Sequence, residues 1–281
     1  MAQPKSIVVS TLTDYMTEID NLLSAAKLRN PEVPGFQNWY RGISSINHKL
    51  VPGLFRLKDV VDSLKLLNIE AEMMMEFERH AILRGTSEPG GADHRSAVLK
   101  LFHMQHYGIP TRLLDWSTNP FIALYFALST SREKGKNPAV WVLDPWHWNR
   151  VVFHKKLWKD RGPAHVNDSS ILPYHPKESY EESDLRDIGH DPVAVLGVYN
   201  TERMRAQRGV FTFFGKDTNP MEKVYHNFKM NEQQLVRIEI ELTAADDVFS
   251  RLFHMGYTDS VSYPDFQGVA MEIRRIHGFR V

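Results

Sequence analysis

Gln105-His106-Tyr107-Gly108-Ile109-Pro110-Thr111-Arg112-Leu113-Leu114-Asp115-Trp116 is the stretch on which the fold turns. Before it, residues 95–107 read as a helix, with Val98, Leu101, Phe102 and Gln105 on one face. Gly108 and Pro110 break that helix, and residues 111–116 read as a strand. Asn119-Pro120 then opens a new helix. Asn is suited to the cap, and Pro to a first turn whose N–H would find no partner anyway. Phe121, Ala123, Leu124, Phe126, Ala127 and Leu128 make this helix apolar nearly all round, so it is predicted to be deeply buried. A polar cluster of Gln105, His106, Thr111, Arg112, Asp115, Ser117 and Thr118 is thereby set into strongly apolar sequence.

Outward from this block, residues 11–28 carry apolar positions at spacings of three and four, with Thr11 and Asp14 as a cap. Phe36–Arg41 reads as a strand ended by Gly42, and residues 69–84 as a helix. Further strands are predicted at 138–143, 193–198, 209–214 and 236–242. A helix capped by Thr243 and Asp246 should run to Met255 and stop at Gly256, and a last helix should cover Phe266–Ile276. The polar stretch between Lys159 and Pro192 is too long for an ordinary connection and reads as a mobile surface insertion or a lid. The fold class is α+β, a helical N-terminal part packed on mixed β-sheets. Residues 1–35 hold the N-terminal helix and 36–281 the main domain.

The chain has 281 residues, 42% of them apolar, ample for a real core. Lys plus Arg and Asp plus Glu both number 34, so the net charge gives no global attraction to a polyanion. There is no cysteine, which excludes disulfides, thiolate catalysis and Cys-based zinc sites. The N-terminus leads into no apolar signal segment, and no run approaches the ~20 apolar residues of a bilayer span. A soluble cytoplasmic protein is expected. No phosphate-binding P-loop, dinucleotide-binding GxGxxG or GxSxG elbow is present. His103 and His106 are spaced to share a metal, but no third ligand accompanies them and no metal site is predicted. No clustered acidic ligands point to a nuclease.

Four segments could carry chemistry. In Trp39-Tyr40-Arg41-Gly42, the arginine can grip a phosphate or carboxylate bidentately and the glycine admits a ligand to the backbone. The same residues also read as a surface arginine beside a turn glycine. In the 105–118 block, Arg112 and Asp115 should face opposite sides of a strand and not pair. A buried Asp115 would need donors, for which Arg41 and Arg56 are candidates. That block reads equally well as a hydrogen-bond network clamping a turn. Arg203, Arg205, Gln207 and Arg208 precede a strand, either as an anion grip with Gln207 on a ribose hydroxyl or as a solvated turn. Within Trp141–Arg161, Trp148, Arg150, Lys155, Lys156 and Trp158 combine stacking surfaces with cations, a nucleic-acid candidate that also reads as core tryptophans beside a solvated basic face.

Taken in order, Tyr40-Arg41-Gly42, Leu50-Val51-Pro52-Gly53-Leu54-Phe55-Arg56, the 105–117 block with its buried helix, and Arg205-Ala206-Gln207-Arg208-Gly209-Val210-Phe211-Thr212 resemble the FRG-domain family over roughly residues 36–275. The family's layout is similar to the ADP-ribosyltransferase fold. There, an Arg or His on the first strand binds NAD, a Ser-Thr strand leads into a helix under the nicotinamide, and a later strand carries Glu or Gln. The resemblance assigns these places to Arg41, to Ser117 with Thr118, and to Gln207. No Glu stands at the start of the 209–214 strand, so either Asp115 substitutes as the carboxylate or catalysis rests on Gln207 and positioning. It implies NAD as co-substrate and no metal, with Arg41, Asp115 and Gln207 catalytic. Around NAD it implies Tyr40, Gly42, Arg56, His106, Tyr107, Thr111, Arg112, Ser117 and Thr118, with Tyr40 or Tyr107 stacking on nicotinamide. The implied activity is mono-ADP-ribosylation of a macromolecule, nucleic acid before protein, by a bacterial toxin or antiphage effector for which an antitoxin is a candidate partner. The alternative is a non-catalytic nucleotide- or anion-binding module.

Overall fold

Short apolar runs and capped amphipathic segments follow one another along the chain as β1 (Lys5–Val9), α1 (Leu12–Arg29), β2 (Trp39–Ile43), α2 (Ser63–Ile82), α3 (His94–His106), β3 (Leu113–Ser117), α4 (Pro120–Ser129), β4 (Ala139–Leu143) and α5 (Pro145–Val152). Then come β5 (Ala164–His165), β6 (Val193–Leu196), α6 (Glu202–Ala206), β7 (Gly209–Phe213), α7 (Met221–Asn227), β8 (Leu235–Ile240), α8 (Ala245–His254), α9 (Asp259–Ser262) and α10 (Phe266–Ile276). The structure is a computed structural model that describes residues 3–33, 35–58, 60–82, 94–130, 133–153, 162–198, 201–231, 233–279 and 281.

The described strands form one eight-stranded mixed sheet in the order β1-β8-β4-β2-β3-β7-β6-β5, with β1/β8 and β5/β6 parallel and the other pairs antiparallel. The fold is thus mixed α and β, with strands in both halves of the chain. β1 had no sequence signal of its own: Lys5, Ser6 and Val8 are exposed, and its apolar face is defined only by pairing with β8. It completes the sheet edge, and α1 packs on the same face, so residues 5–29 share a core with α4, β8 and α8.

α4 determines how that face closes. Asn119 caps it, its Oδ1 accepting from the N–H of Phe121 at 2.9 Å. Its apolar girdle is buried across β2, and the Tyr15 hydroxyl donates to the Pro120 carbonyl at 2.8 Å. Gly42 lies inside β2 and does not end it. A Cβ there would stand 2.0 Å from the Ala123 carbonyl oxygen, so glycine is required because a helix, not a ligand, approaches the strand backbone. At α8, Ala244 occupies the N-cap with no side-chain bond, so Thr243 and Asp246 do not form the expected cap; Gly256, at φ +92°, ends the chain's turn after the helix as expected. No helix among the described residues is long and apolar enough to cross a membrane.

On the opposite face, Trp39, Trp116, Trp141 and Trp148 share a core with α5 and α7. A third cluster joins α3, β6 and β7 to residues 164–174. The described part of the polar stretch, 162–192, is neither a loose insertion nor a lid: Ile171, Tyr174, Tyr180 and Ile188 are buried, and Tyr180 and Ile188 pack on α2. Its few apolar anchors suffice because an ion pair supports them. Glu70 of α2 accepts from the Arg112 backbone N–H at 2.8 Å and from its Nε at 2.6 Å, and Arg112 Nη2 donates to the Tyr174 carbonyl at 3.1 Å and the Tyr180 hydroxyl at 3.3 Å. Both charged side chains are essentially unexposed, at 0% and 1%. Arg112 therefore does not reach a cofactor; it clamps α2, β3 and the 174–180 segment together.

Removing one member of such a pair leaves a buried charge uncompensated. Glu70→Ala should cost about 3–5 kcal/mol in urea unfolding. Glu70→Leu combined with Arg112→Met should recover part of that loss, and a double variant no more stable than Glu70→Ala would contradict the clamp.

Candidate functional site

β2 is paired with β4 along Trp39–Ile43, and β3 with β7 along Leu113–Ser117. Between β2 and β3 the register holds only Tyr40 opposite Ser117. The two half-sheets diverge from that point, and a cleft of about 750 Å³ opens where they part. Arg41, the next residue along β2, reaches across the gap: its Nη1 donates to the Asp115 carbonyl at 2.5 Å, a side-chain substitute for a missing ladder bond. Its Nε is buried with no hydrogen-bond partner, and the side chain is 18% exposed. Burial pulls the Arg41 pKa down to about 10, with Asp115 opposing the shift and Arg56 adding to it. A guanidinium so poorly compensated favours an anion.

The 105–117 block supplies the facing wall. Thr111 is fully buried. Its hydroxyl accepts from the Leu113 N–H and donates to Gln105 Oε1 at 2.7 Å. Gln105 Nε2 donates in turn to Asp115 Oδ2, also at 2.7 Å, and Arg41 Nη1 lies 3.9 Å from the same oxygen. The Asp115 side chain is not buried, as the sequence reading assumed, but 52% exposed, because β3 turns it outward into the opening. Ser117 Oγ donates to the Gln207 carbonyl at 2.7 Å and accepts from the Asn119 N–H at 2.9 Å, so it ties the start of α4 to the end of α6. Gln207 caps α6, and its Nε2 donates to the Ser262 carbonyl at 2.9 Å.

The cleft brings together Arg41, Asp115 and Gln207 with Tyr40, Gly42, Arg56, His106 and Ser117. Arg56 is held by two bonds to the Val51 carbonyl, at 2.9 and 2.7 Å. Tyr40 presents only an edge; burial pushes its phenol up to about 12, opposed by a hydrogen bond to Asn38, so it stays neutral. Four of the expected cofactor residues lie elsewhere. Arg112 and Thr111 are buried as structural supports, Thr118 uses its backbone N–H on the Arg208 carbonyl, and Tyr107 stands exposed beside Phe77 and His106. Tyr107 is therefore not placed to stack on a ring inside the cleft.

The Trp/basic segment is also corrected in part. Trp148 is fully buried, its Nε1 donating to the Pro192 carbonyl at 2.7 Å, because α5 turns Trp148 and Val152 inward. Arg150 is half-buried near Asn30. Lys155, Lys156 and Trp158 lie outside the described residues.

Several lining residues had no functional signal in sequence. Phe102 and Phe211, with ring centroids 4.7 Å apart, read as ordinary core positions. Lys49 belongs to no motif. Arg203 was visible only as one member of an arginine cluster; it lies over the Tyr263 ring at 4.4 Å. The lining thus gathers Arg41, Lys49, Arg56 and Arg203 around Asp115, its only acid among the described residues, in a chain whose net charge is zero. Such a cleft suits a ligand with several negative charges and a planar apolar end. Among the described residues, one potential metal-ligand group, His190, Asp191 and Asp217, brings its ligand atoms within 4.8 Å of one another, away from the cleft lining.

Residues 37–136, from just before β2 through α4 to the approach to β4, match the FRG domain family. No curated protein and no solved structure matches the chain.

His106 connects this site to pH. Burial lowers its pKa below 6.5, nearby Arg203 and His103 lower it further, and Asp265 opposes them. A histidine held neutral in the fold lends stability above pH 6.5 that is lost as the pH falls below that value toward the folded pKa. Between pH 7.5 and 5.0, His106→Gln should therefore lose less melting temperature than wild type. Parallel melting curves for the two proteins would contradict the assignment.

Proposed function

On the premise that this chain carries an FRG domain, we propose that it is an NAD-dependent mono-ADP-ribosyltransferase whose donor lies in the cleft between β2 and β3 and whose acceptor is a macromolecule, nucleic acid before protein. The observation that carries this reading is Arg41, a desolvated, undercompensated guanidinium in a cationic cleft whose described lining holds one carboxylate. A dinucleotide pyrophosphate is the kind of anion that Arg41 and Arg56 would hold, with Arg203 and Lys49 as further cations. Gln207, its Nε2 committed to Ser262, keeps its amide oxygen to accept from a ribose hydroxyl.

In the reaction, the C1′–nitrogen bond to nicotinamide breaks and its electron pair leaves with the neutral nicotinamide. Positive charge develops at C1′, where a carboxylate is most useful. The acceptor's nucleophilic atom bonds to C1′, and its proton passes to Asp115. Gln105, braced by Thr111, holds that carboxylate toward the opening, with Arg41 Nη1 at 3.9 Å from it. If the acceptor is essential to the cell, the protein would act as a toxin or antiphage effector and require a restraining partner.

A second reading has one observation in its favour. The carboxylate is half-exposed, and the residue at the end of α6 that approaches the cleft is an amide. That combination suits a module that holds a nucleotide or anion without turning it over.

Nicotinamide release from NAD, measured with and without nucleic acid or lysate, decides between the two. Asp115→Asn, which preserves the Gln105 hydrogen bond, should lower release about 10²–10⁴-fold with little change in NAD affinity. Arg41→Lys should raise KM more than it lowers kcat. NAD binding without release by the wild type would support the non-catalytic module.

A further inference from the structure

We propose that Tyr107, with Arg203, Arg205 and Arg208, forms a docking surface for single-stranded nucleic acid beside the mouth of the cleft. This rests on the reading of the cleft as the place where a macromolecular acceptor is modified.

The first observation is the position of Tyr107. It is 68% exposed, just past the end of α3. Its ring lies edge-on to His106 at 4.9 Å, and His106 lines the cleft, so Tyr107 flanks the opening without entering it. An exposed aromatic ring at that place offers a platform on which any base can stack, independent of sequence.

The second observation is the lip next to it. The His106 ring nitrogen and the Thr201 hydroxyl, 3.4 Å apart, join the end of α3 to the cap of α6. Arg203 and Gln207 of that short segment face the cleft, while Arg205 and Arg208 are exposed beside them. Arg208 sits at φ +49°, a left-handed conformation that favours glycine or asparagine, so a bulky cation is kept where the backbone disfavours it. Glu202 is the exposed acid on the segment, and Asp265 faces His106. The balance remains cationic.

A ring platform joined through His106 and Thr201 to an arginine-bearing segment suits a single strand, with phosphates on the cations and a base on the ring. A duplex fits less well, because a base must leave its stack to reach Asp115. The buried Trp148 of α5 offers no such platform.

The test is fluorescence anisotropy of the full chain with labelled single-stranded RNA and DNA oligonucleotides across a salt series. Wild type should bind at least one of the two, with affinity falling steeply as salt rises. Tyr107→Ala should weaken binding about ten-fold, and Tyr107→Phe should bind as wild type does. Arg205→Ala and Arg208→Asn should each reduce the salt slope by about 0.7. All four variants should melt as wild type does and release nicotinamide from NAD into water at the wild-type rate. No salt-dependent binding to either strand, equal binding by Tyr107→Ala and wild type, or a Phe variant as weak as the Ala variant would overturn the surface. So would labelling of lysate protein by a wild type that ignores both oligonucleotides. A wild type that releases nicotinamide but binds neither oligonucleotide speaks against the surface alone; a wild type that binds oligonucleotide but never releases nicotinamide speaks against the transferase reading alone.

Discussion

A sheet can open in its middle only where two neighbouring strands give up their ladder, and buried backbone groups tolerate that only if something else satisfies them. In this chain β2 and β3 share one register pair, Tyr40 with Ser117, and a side chain bridges the gap beyond it. Arg41 donates to the Asp115 carbonyl and still leaves its buried Nε without a partner. The same residue thus holds the two half-sheets together and supplies the charge that a ligand would neutralise. An anion bound there would compensate a cation that the fold itself leaves short of partners.

The opening is stable because each half-sheet is fixed independently. On the β2 side, α4 lies so close that only glycine fits at position 42, and its apolar girdle reaches α1 and α8. On the β3 side, the Arg112–Glu70 pair ties the strand to α2 and to the 174–180 segment, with the guanidinium lying 5.3 Å from the Phe213 ring centroid. Rigid walls of this kind keep Asp115, Gln105 and Arg41 in place without bound ligand, which is what a preorganised site requires.

The sequence made the polar residues of the 105–118 block visible as a group but could not distribute their tasks. Arg112 and Asp115 are three residues apart on one strand, and the pleat sends them to opposite sides, one into the core and one into the cleft. Thr111 and Gln105 look equivalent in sequence, yet one is a buried brace and the other holds the carboxylate. Tyr107 and Trp148 were both read as stacking surfaces; the helix end leaves the first in solvent, while the inward face of α5 buries the second. These outcomes depend on which face of an element meets which neighbour, and no local pattern encodes that.

What the sequence determined by itself was the set of local structures and the family. Caps, breakers and periodicity located α1, α4, α10, β4, β6, β7 and β8, because those signals are written in residues next to one another. The motifs from Tyr40 to Trp116 identified the FRG domain for the same reason. Only the tertiary structure decided that β1 joins β8 across more than two hundred residues, that β2 and β3 part after one pair, and that Lys49, Phe102, Arg203 and Phe211 line the resulting cleft. Each of these is a meeting of distant segments, set by the closure of the whole sheet around α4 and by the burial of Arg112 against Glu70.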